Sequence, residues 1–237
     1  MIKVEFFHDV ICSFCFPMSA RMRKIAKKYN NIKIEHKSYA LNWSTQDFVT
    51  GFGSRKKAKE EILGHWAHAN ANDDEHRFNI EGIRNADVEF PTSRPGLIAS
   101  KAAGILGGEE KYWEVFDALQ ESLFVNSLDI EDENLLVEIV EKAGLDVDKW
   151  KELYHDPATE KLVFEDIALA QRYGITSVPS LIIDGKYLLK GAQPLYIIEK
   201  ALEDIAKTEN KSLNVLKDLT VGNEGICEVI DGEMNCE

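Results

Sequence analysis

Apolar and polar positions alternate from the first residue. Ile2, Val4 and Phe6 take turns with Lys3 and Glu5, the period of a half-buried strand. A helical stretch follows, from about Ser13 to Tyr29, and Asn30-Asn31 closes it. Ile32, Ile34 and His36 then alternate with Lys33, Glu35 and Lys37, a second strand. The result is a βαβ unit, whose crossover should be right-handed with its strands parallel.

From about Ser54 to His155 the pattern shows only helical periods and loops. Tyr112, Val115, Phe116, Leu119 and Leu123 recur at i, i+3, i+4 and i+7, and Leu135, Leu136, Ile139 and Val140 repeat the pattern. Thr92 or Ser93, just before Pro95, can cap a helix, and Gly144 can end one running over 131–143. The α/β pattern then returns. Val163, Ile167 and Ala170 share a helix face closed by Gly174. Ser180–Ile183 and Lys186–Leu189 are apolar runs joined by Asp184-Gly185, a strong hairpin signal. A last helix spans about 194–207, with Ile198, Ala201, Leu202 and Ile205 inward, and an acidic tail follows. This order predicts a mixed sheet flanked by helices and interrupted by a helical block.

The composition is that of a globular chain: 237 residues, 44% hydrophobic and 29% charged. No apolar run approaches the roughly 18 residues of a membrane span. The start lacks a signal peptide's apolar stretch, so a cytoplasmic location is expected. The net charge of −13 argues against nucleic acid and anionic membranes as partners. Residues 1–64 carry 12 Lys/Arg against 6 Asp/Glu, leaving 16 against 35 for the rest, a distribution that solvated helix faces explain. The basic cluster Arg21, Arg23, Lys24, Lys27 and Lys28 suits the helix macrodipole and needs no functional role.

Four cysteines are too few for a disulfide scaffold, which turns attention to catalysis or metal binding. Cys12-Ser13-Phe14-Cys15 lies between the first strand and the first helix, so both sulfurs share one turn. The first faces the positive end of the helix, which favours its thiolate. The second, further in, can resolve a mixed disulfide. A CxxC beside a βαβ pattern reads as a thioredoxin-type redox site, although half a zinc site or inert core thiols would look alike. His65, His68 and His76, with Asp73 and Asp74, match no zincin pattern, and no metal site is assigned. Gly51-Phe52-Gly53 completes no dinucleotide fingerprint. Trp66, Trp113 and Trp150 read as helix-packing residues. Phe14 and Phe16 could be exposed for docking or tucked into the core. Phe16-Pro17 puts a proline about a turn into the helix, which predicts a kink. Val178-Pro179 opens a strand, where a proline belongs. Only about 5–6% of such bonds are cis, so the base rate favours trans.

Taken together, the strand-CxxC-helix start, the helical insertion, Gly174-Ile175-Thr176-Ser177-Val178-Pro179, the Asp184-Gly185 hairpin and Gly191-Ala192-Gln193-Pro194 resemble the DsbA family, in particular its cytoplasmic FrnE-like branch. The resemblance covers about residues 2–206. It implies an α/β thioredoxin-like fold with an inserted all-helical domain: residues 1–50 and 158–209 as the thioredoxin-like part, 54–157 as the insertion, 210–237 as the tail. It also implies a redox-active Cys12/Cys15 pair, a cis Pro179 packed against it, and a backbone at Val178 that pairs with substrate. Protein or low-molecular-weight thiols and disulfides would be the substrates, glutathione or thioredoxin candidate exchange partners, and no cofactor is required. Ser13-Phe14 stands where the branch usually has proline then an aromatic, and this dipeptide tunes redox poise, so the potential does not carry over. Glutathione-dependent isomerases of the 2-hydroxychromene-2-carboxylate type and kappa-class glutathione transferases share the architecture. They typically hold a serine where Cys12 stands, so the dithiol favours disulfide exchange. A third reading is a holdase-like binding protein with vestigial cysteines.

The tail carries Cys227 and Cys236, and Asp231-Gly232 is a type I′ turn signal. A hairpin on that turn pairs Ile230 with Glu233, Val229 with Met234, Glu228 with Asn235, and Cys227 with Cys236. Counted from the turn, the last pair is non-hydrogen-bonded, with Cα atoms about 4.5 Å apart, inside the disulfide range of roughly 4.4–6.8 Å. The alternatives are a second redox pair or an unstructured acidic tail with two idle thiols.

Overall fold

A computed structural model describes residues 1–208 together with short strands at 217–218, 227–230 and 233–236. Strand β1 (Ile2–His8) leads into helix α1 (Cys15–Lys28) and strand β2 (Ile32–Ser38). β1 and β2 are parallel, Ile2 opposite Ile32 through His8 opposite Ser38. Helices α2 (Thr45–Phe52), α3 (Arg55–Asn72), α4 (Ile80–Asn85), α5 (Ser93–Phe124), α6 (Glu133–Lys142) and α7 (Val147–Tyr154) follow β2 as an unbroken run of helices. Helix α8 (Pro157–Tyr173), the short strand β3 (Ser177–Val178), strands β4 (Ser180–Ile183) and β5 (Tyr187–Lys190), and helix α9 (Leu195–Thr208) complete the α/β part. Among the described residues the tail adds β6 (Lys217–Asp218), β7 (Cys227–Ile230) and β8 (Glu233–Cys236).

The main sheet runs β2-β1-β4-β5-β6, with β4 antiparallel to both β1 and β5. β1 is therefore central, and burial follows from that position. Val4 and Phe6 are buried, but so are Glu5, Phe7 and His8, so β1 is covered on both faces rather than half-buried. Glu5 is tolerated there because Lys3 and the Tyr173 hydroxyl hydrogen-bond its carboxylate. β2 keeps the alternation expected of it, with Ile34, His36 and Ser38 buried.

Local signals placed several boundaries. Asp156 caps α8, Pro157 occupies its first turn, and Gly174 ends it in the left-handed region at φ 70°. Thr92 is the N-cap of α5. Asp184 and Gly185 both have positive φ, as a type I′ turn requires, but Ile183 pairs with Tyr187, so Lys186 belongs to the connection and not to the strand. The pattern assigned nothing to α2, whose Ser44/Asp47 capping box is its sequence signal.

Pro17 does not kink α1. The helix starts at Cys15, so Pro17 lies in its first turn, where backbone N–H groups have no intrahelical partner. Phe14 and Phe16 are both in the core, Phe16 between Phe78 and Phe124 under the Arg77 guanidinium, and neither is a docking surface. Trp66, Trp113 and Trp150 are buried between helices. Arg21 departs furthest from expectation. It is buried at the middle of α1 and hydrogen-bonds Asn72, Asp74 and the carbonyls of Ala192 and Gln193.

In the tail, β7 and β8 adopt the anticipated register, with Cys227 opposite Cys236 and Ile230 opposite Glu233. The turn residues Asp231-Gly232 lie outside the described residues. β7 also pairs antiparallel with β3, forming a second sheet in the order β3-β7-β8.

Candidate active site

The site sits where β1 gives way to α1. After His8 the chain turns, and the Cys12 amide donates to the Asp9 carbonyl at 3.2 Å. Cys15 opens the helix, its amide donating to the Cys12 carbonyl at 3.0 Å. Cys12 is thus in the turn before the helix and Cys15 is the first helical residue, whereas a start at about Ser13 would have put Cys15 two positions further in. Phe14 is the N-cap residue but supplies no side-chain cap, and Ser13 beside it is also buried.

Both cysteines are free thiols and neither has exposed surface. Burial, followed by a hydrogen bond shared with Cys12, holds the Cys15 thiol well above its ordinary value. The Cys12 Sγ lies 3.6 Å from the carbonyl oxygen of Val178 and can donate to it. The Val178–Pro179 bond is cis, as the family resemblance implied and against the base rate. Cys12, Cys15, Val178 and Pro179 are therefore assembled at one place, although 166 residues separate Cys12 from Val178.

A buried carboxyl group organises the turn. Asp9 accepts from the Leu41 amide at 2.7 Å, the Ser93 hydroxyl at 2.6 Å and the Ile11 amide at 3.3 Å, tying the turn after β1 to the loop after β2 and to the start of α5. Gln120 of α5, also buried, donates to the carbonyls of Asp9 at 3.3 Å and Cys12 at 3.4 Å. Burial pushes the Asp9 carboxyl up to about 6, against these hydrogen bonds, which act the other way. Neither residue stood out in the sequence. The available signal was an acidic residue directly after an apolar strand and three positions before Cys12.

This shift has a measurable consequence. The folded state holds the Asp9 proton more tightly than the unfolded chain, whose ordinary value is 3.8. Its contribution to stability is therefore present below about pH 4 and lost as the pH rises through about 6, up to about 3 kcal/mol in all. Asp9→Asn should gain stability relative to the parent as the pH goes from 4 to 8. Urea unfolding of both proteins across that range checks it, and a pH-independent difference would count against the assignment.

His8 and His36 form a second buried pair, with ring nitrogens 3.0 Å apart. Burial lowers both well below the ordinary histidine value and keeps them neutral, packed among Tyr112, Trp113 and Phe116. The histidines weighed as metal ligands do not converge. Asp73 pairs with Arg77 and Asp74 with Arg21 and Lys24, and no metal-binding group of three or more such side chains occurs among the described residues. Among those residues, no helix is long and apolar enough to cross a membrane.

Known proteins resemble the chain over most of its length. The cytosolic disulfide reductase DsbM of Pseudomonas aeruginosa superposes with a TM-score of 0.67 at 16% identity, covering 85% of this chain and 98% of that one. A 2-hydroxychromene-2-carboxylate isomerase structure gives 0.62 at 15% identity, covering 89% of this chain and 100% of that one. At this level of identity both likenesses speak to the fold alone. In sequence, a ClpXP adapter protein SpxH of Bacillus subtilis is 25% identical over 183 residues, which are 76% of this chain. The match spans only 57% of that relative's length. The DSBA-like thioredoxin domain family matches residues 3–203, and on that match the chain belongs to this family.

Proposed function

We propose that the protein is a thiol–disulfide oxidoreductase in which Cys12 attacks, Cys15 resolves, and the Val178-Pro179 segment presents the substrate backbone. The observation that carries this reading is the Cys12 Sγ resting on the Val178 carbonyl, with Cys15 hydrogen-bonded behind it. A thiol held protonated is a poor nucleophile, so attack falls to Cys12. Its thiolate attacks a substrate disulfide and expels one substrate thiolate, leaving a mixed disulfide. Cys15 then loses its proton, attacks the Cys12 sulfur and releases the second substrate thiol. Two electrons pass from the pair to the substrate, and the reverse sequence oxidises a dithiol.

Ser13-Phe14 tunes the poise of the pair. Substrates are protein or low-molecular-weight disulfides. Glutathione is a natural partner to test, since DsbM has been solved with GSH. The cytosolic setting of DsbM supports a cytoplasmic site of action. The deciding experiment is insulin reduction, coupled to the Cys12–Cys15 reduction potential against glutathione. A potential near about −270 mV marks a reductant and one near about −120 mV an oxidant. An isomerase or transferase would show no disulfide turnover.

The SpxH match supports a second reading, a non-catalytic binding protein. In that case Cys12→Ser would leave the biological activity intact while insulin reduction is absent from the parent protein.

A further inference from the structure

Gln120 is a buried polar side chain to which the exchange steps above give no task. It sits on α5, which is interrupted at Gly108, φ 74° and ψ −171°, so the stretch after Gly108 runs along its own axis. On that stretch Tyr112, Phe116 and Gln120 recur every four residues and share a face. Tyr112 stacks on His36 of β2, and Phe116 packs on His8 at the end of β1. The next position on the face reaches the turn that follows β1. There the Gln120 Nε2 donates to the Asp9 carbonyl at 3.3 Å and to the Cys12 carbonyl at 3.4 Å. Its Oε1 is buried and has no hydrogen-bond partner among the described residues. The orientation is fixed all the same, since a reversed carboxamide would set its oxygen against two carbonyl oxygens.

Two features separate this contact from scaffolding. Both hydrogen bonds are longer than the usual range of roughly 2.7–3.2 Å, and neither carbonyl depends on them. The Asp9 carbonyl keeps the Cys12 amide at 3.2 Å, and the Cys12 carbonyl keeps the Cys15 amide at 3.0 Å. The unpaired Oε1 also costs stability. What the side chain does supply is direction. The N–H end of its dipole, the positive end, points at the turn, and the Cys12 carbonyl that it meets shares a Cα with the Cys12 sulfur.

We infer that Gln120 is a positioning residue for disulfide exchange, a donor supplied by the helical run after β2 that offsets the Asp9 and Cys12 carbonyl dipoles beside the attacking sulfur. The inference rests on the oxidoreductase reading above and adds to it the part that α5 plays. When Cys12 gives up its proton, negative charge appears next to oxygens that already carry partial negative charge. Two N–H groups fixed on those oxygens reduce the repulsion. The attacking form is thereby favoured although Gln120 touches no substrate and none of its own bonds is made or broken.

The test compares Cys15→Ser with Cys15→Ser/Gln120→Met in the full-length chain. Each is treated with oxidised glutathione from about pH 5 to about pH 10, and mass spectrometry follows the rate at which the peptide carrying Cys12 gains glutathione. Asp9, the titratable neighbour at the turn, is present in both proteins, so a difference between the two profiles belongs to Gln120. The pH of half-maximal rate should rise by about half a unit in the Gln120→Met form. The urea midpoint should stay where it was, because both carbonyls keep a donor and the unpaired oxygen is gone. The profile decides. Unmoved or moved down, it overturns the inference, and a lower midpoint beside an unmoved profile makes Gln120 scaffold alone. Gln120→Leu carries the comparison if the methionine form does not fold. If Cys12 in Cys15→Ser gains no glutathione at any pH, the oxidoreductase reading falls and the role of Gln120 with it. If it gains glutathione with the same profile in both proteins, only the role of Gln120 is lost.

Discussion

Cys12→Ser should bring insulin reduction down to the level of the reductant alone, while Cys15→Ser should retain attack and accumulate mixed disulfides. The asymmetry follows from where the two sulfurs sit. Cys12 lies in the turn before α1, against the Val178 carbonyl, whereas Cys15 is enclosed in the first turn of the helix with its thiol held protonated by burial. Removing the attacking sulfur stops the first step. Removing the resolving sulfur leaves that step intact and blocks release, because no second thiolate can expel the bound substrate. Non-reducing electrophoresis with insulin as substrate separates the outcomes. Full multiple-turnover activity in Cys15→Ser would sink the assignment of roles.

Arg21→Met should lower the unfolding free energy by about 3 kcal/mol. Its guanidinium is 4% exposed and joins three separate segments. It donates to the Asn72 side chain at 2.9 Å and the Asn72 carbonyl at the end of α3, to the Asp74 carboxylate at 2.7 Å, and to the carbonyls of Ala192 at 2.8 Å and Gln193 at 3.2 Å before α9. Asp74 is 40% exposed and rehydrates when its partner goes, so little of the cost lies in the ion pair. The cost lies in the carbonyls of Asn72 and Gln193, each of which loses about 1–3 kcal/mol if left buried and unpaired, whereas the Ala192 carbonyl keeps the Asn72 side-chain amide at 3.3 Å. Arg21→Lys should recover only part of it, because an ammonium cannot reproduce the planar fork. Urea unfolding with an unchanged slope measures the effect, and a loss below about 1 kcal/mol would show that water replaces the guanidinium at that junction.

Several features of this protein were legible in its sequence because their causes are local. The βαβ start rests on the change from a two-residue to a 3.6-residue period. The end of α8 rests on Gly174, whose φ of 70° a side chain would oppose. Cys12 and Cys15 share a turn because only Ser13 and Phe14 lie between them. The pairing of Cys227 with Cys236 follows from counting outward from Asp231-Gly232, since a two-residue turn fixes which residues lie opposite. The family resemblance supplied what these rules could not, namely the cis bond at Pro179 and the meeting of Val178 with the cysteines.

The tertiary structure alone decided the rest. β1 is buried on both faces because β2 and β4 flank it and helices cover it, and no alternation within Ile2–His8 records that. The basic residues of α1 look equivalent along the chain, yet Arg21 meets carbonyls 171 and 172 residues away while Lys24 stays at the surface. Asp9 became the buried anchor of the active-site turn only when Leu41 and Ser93 arrived beside it. The contact between β7 and β3 brings Cys227 opposite Val178 across nearly fifty residues. Periodicity and turn chemistry act over a few residues, and they specify which elements form. Which polar group is buried, and which strand reaches which edge, depends on segments that meet only when the whole core closes, and a single chain read in order carries no local trace of those meetings.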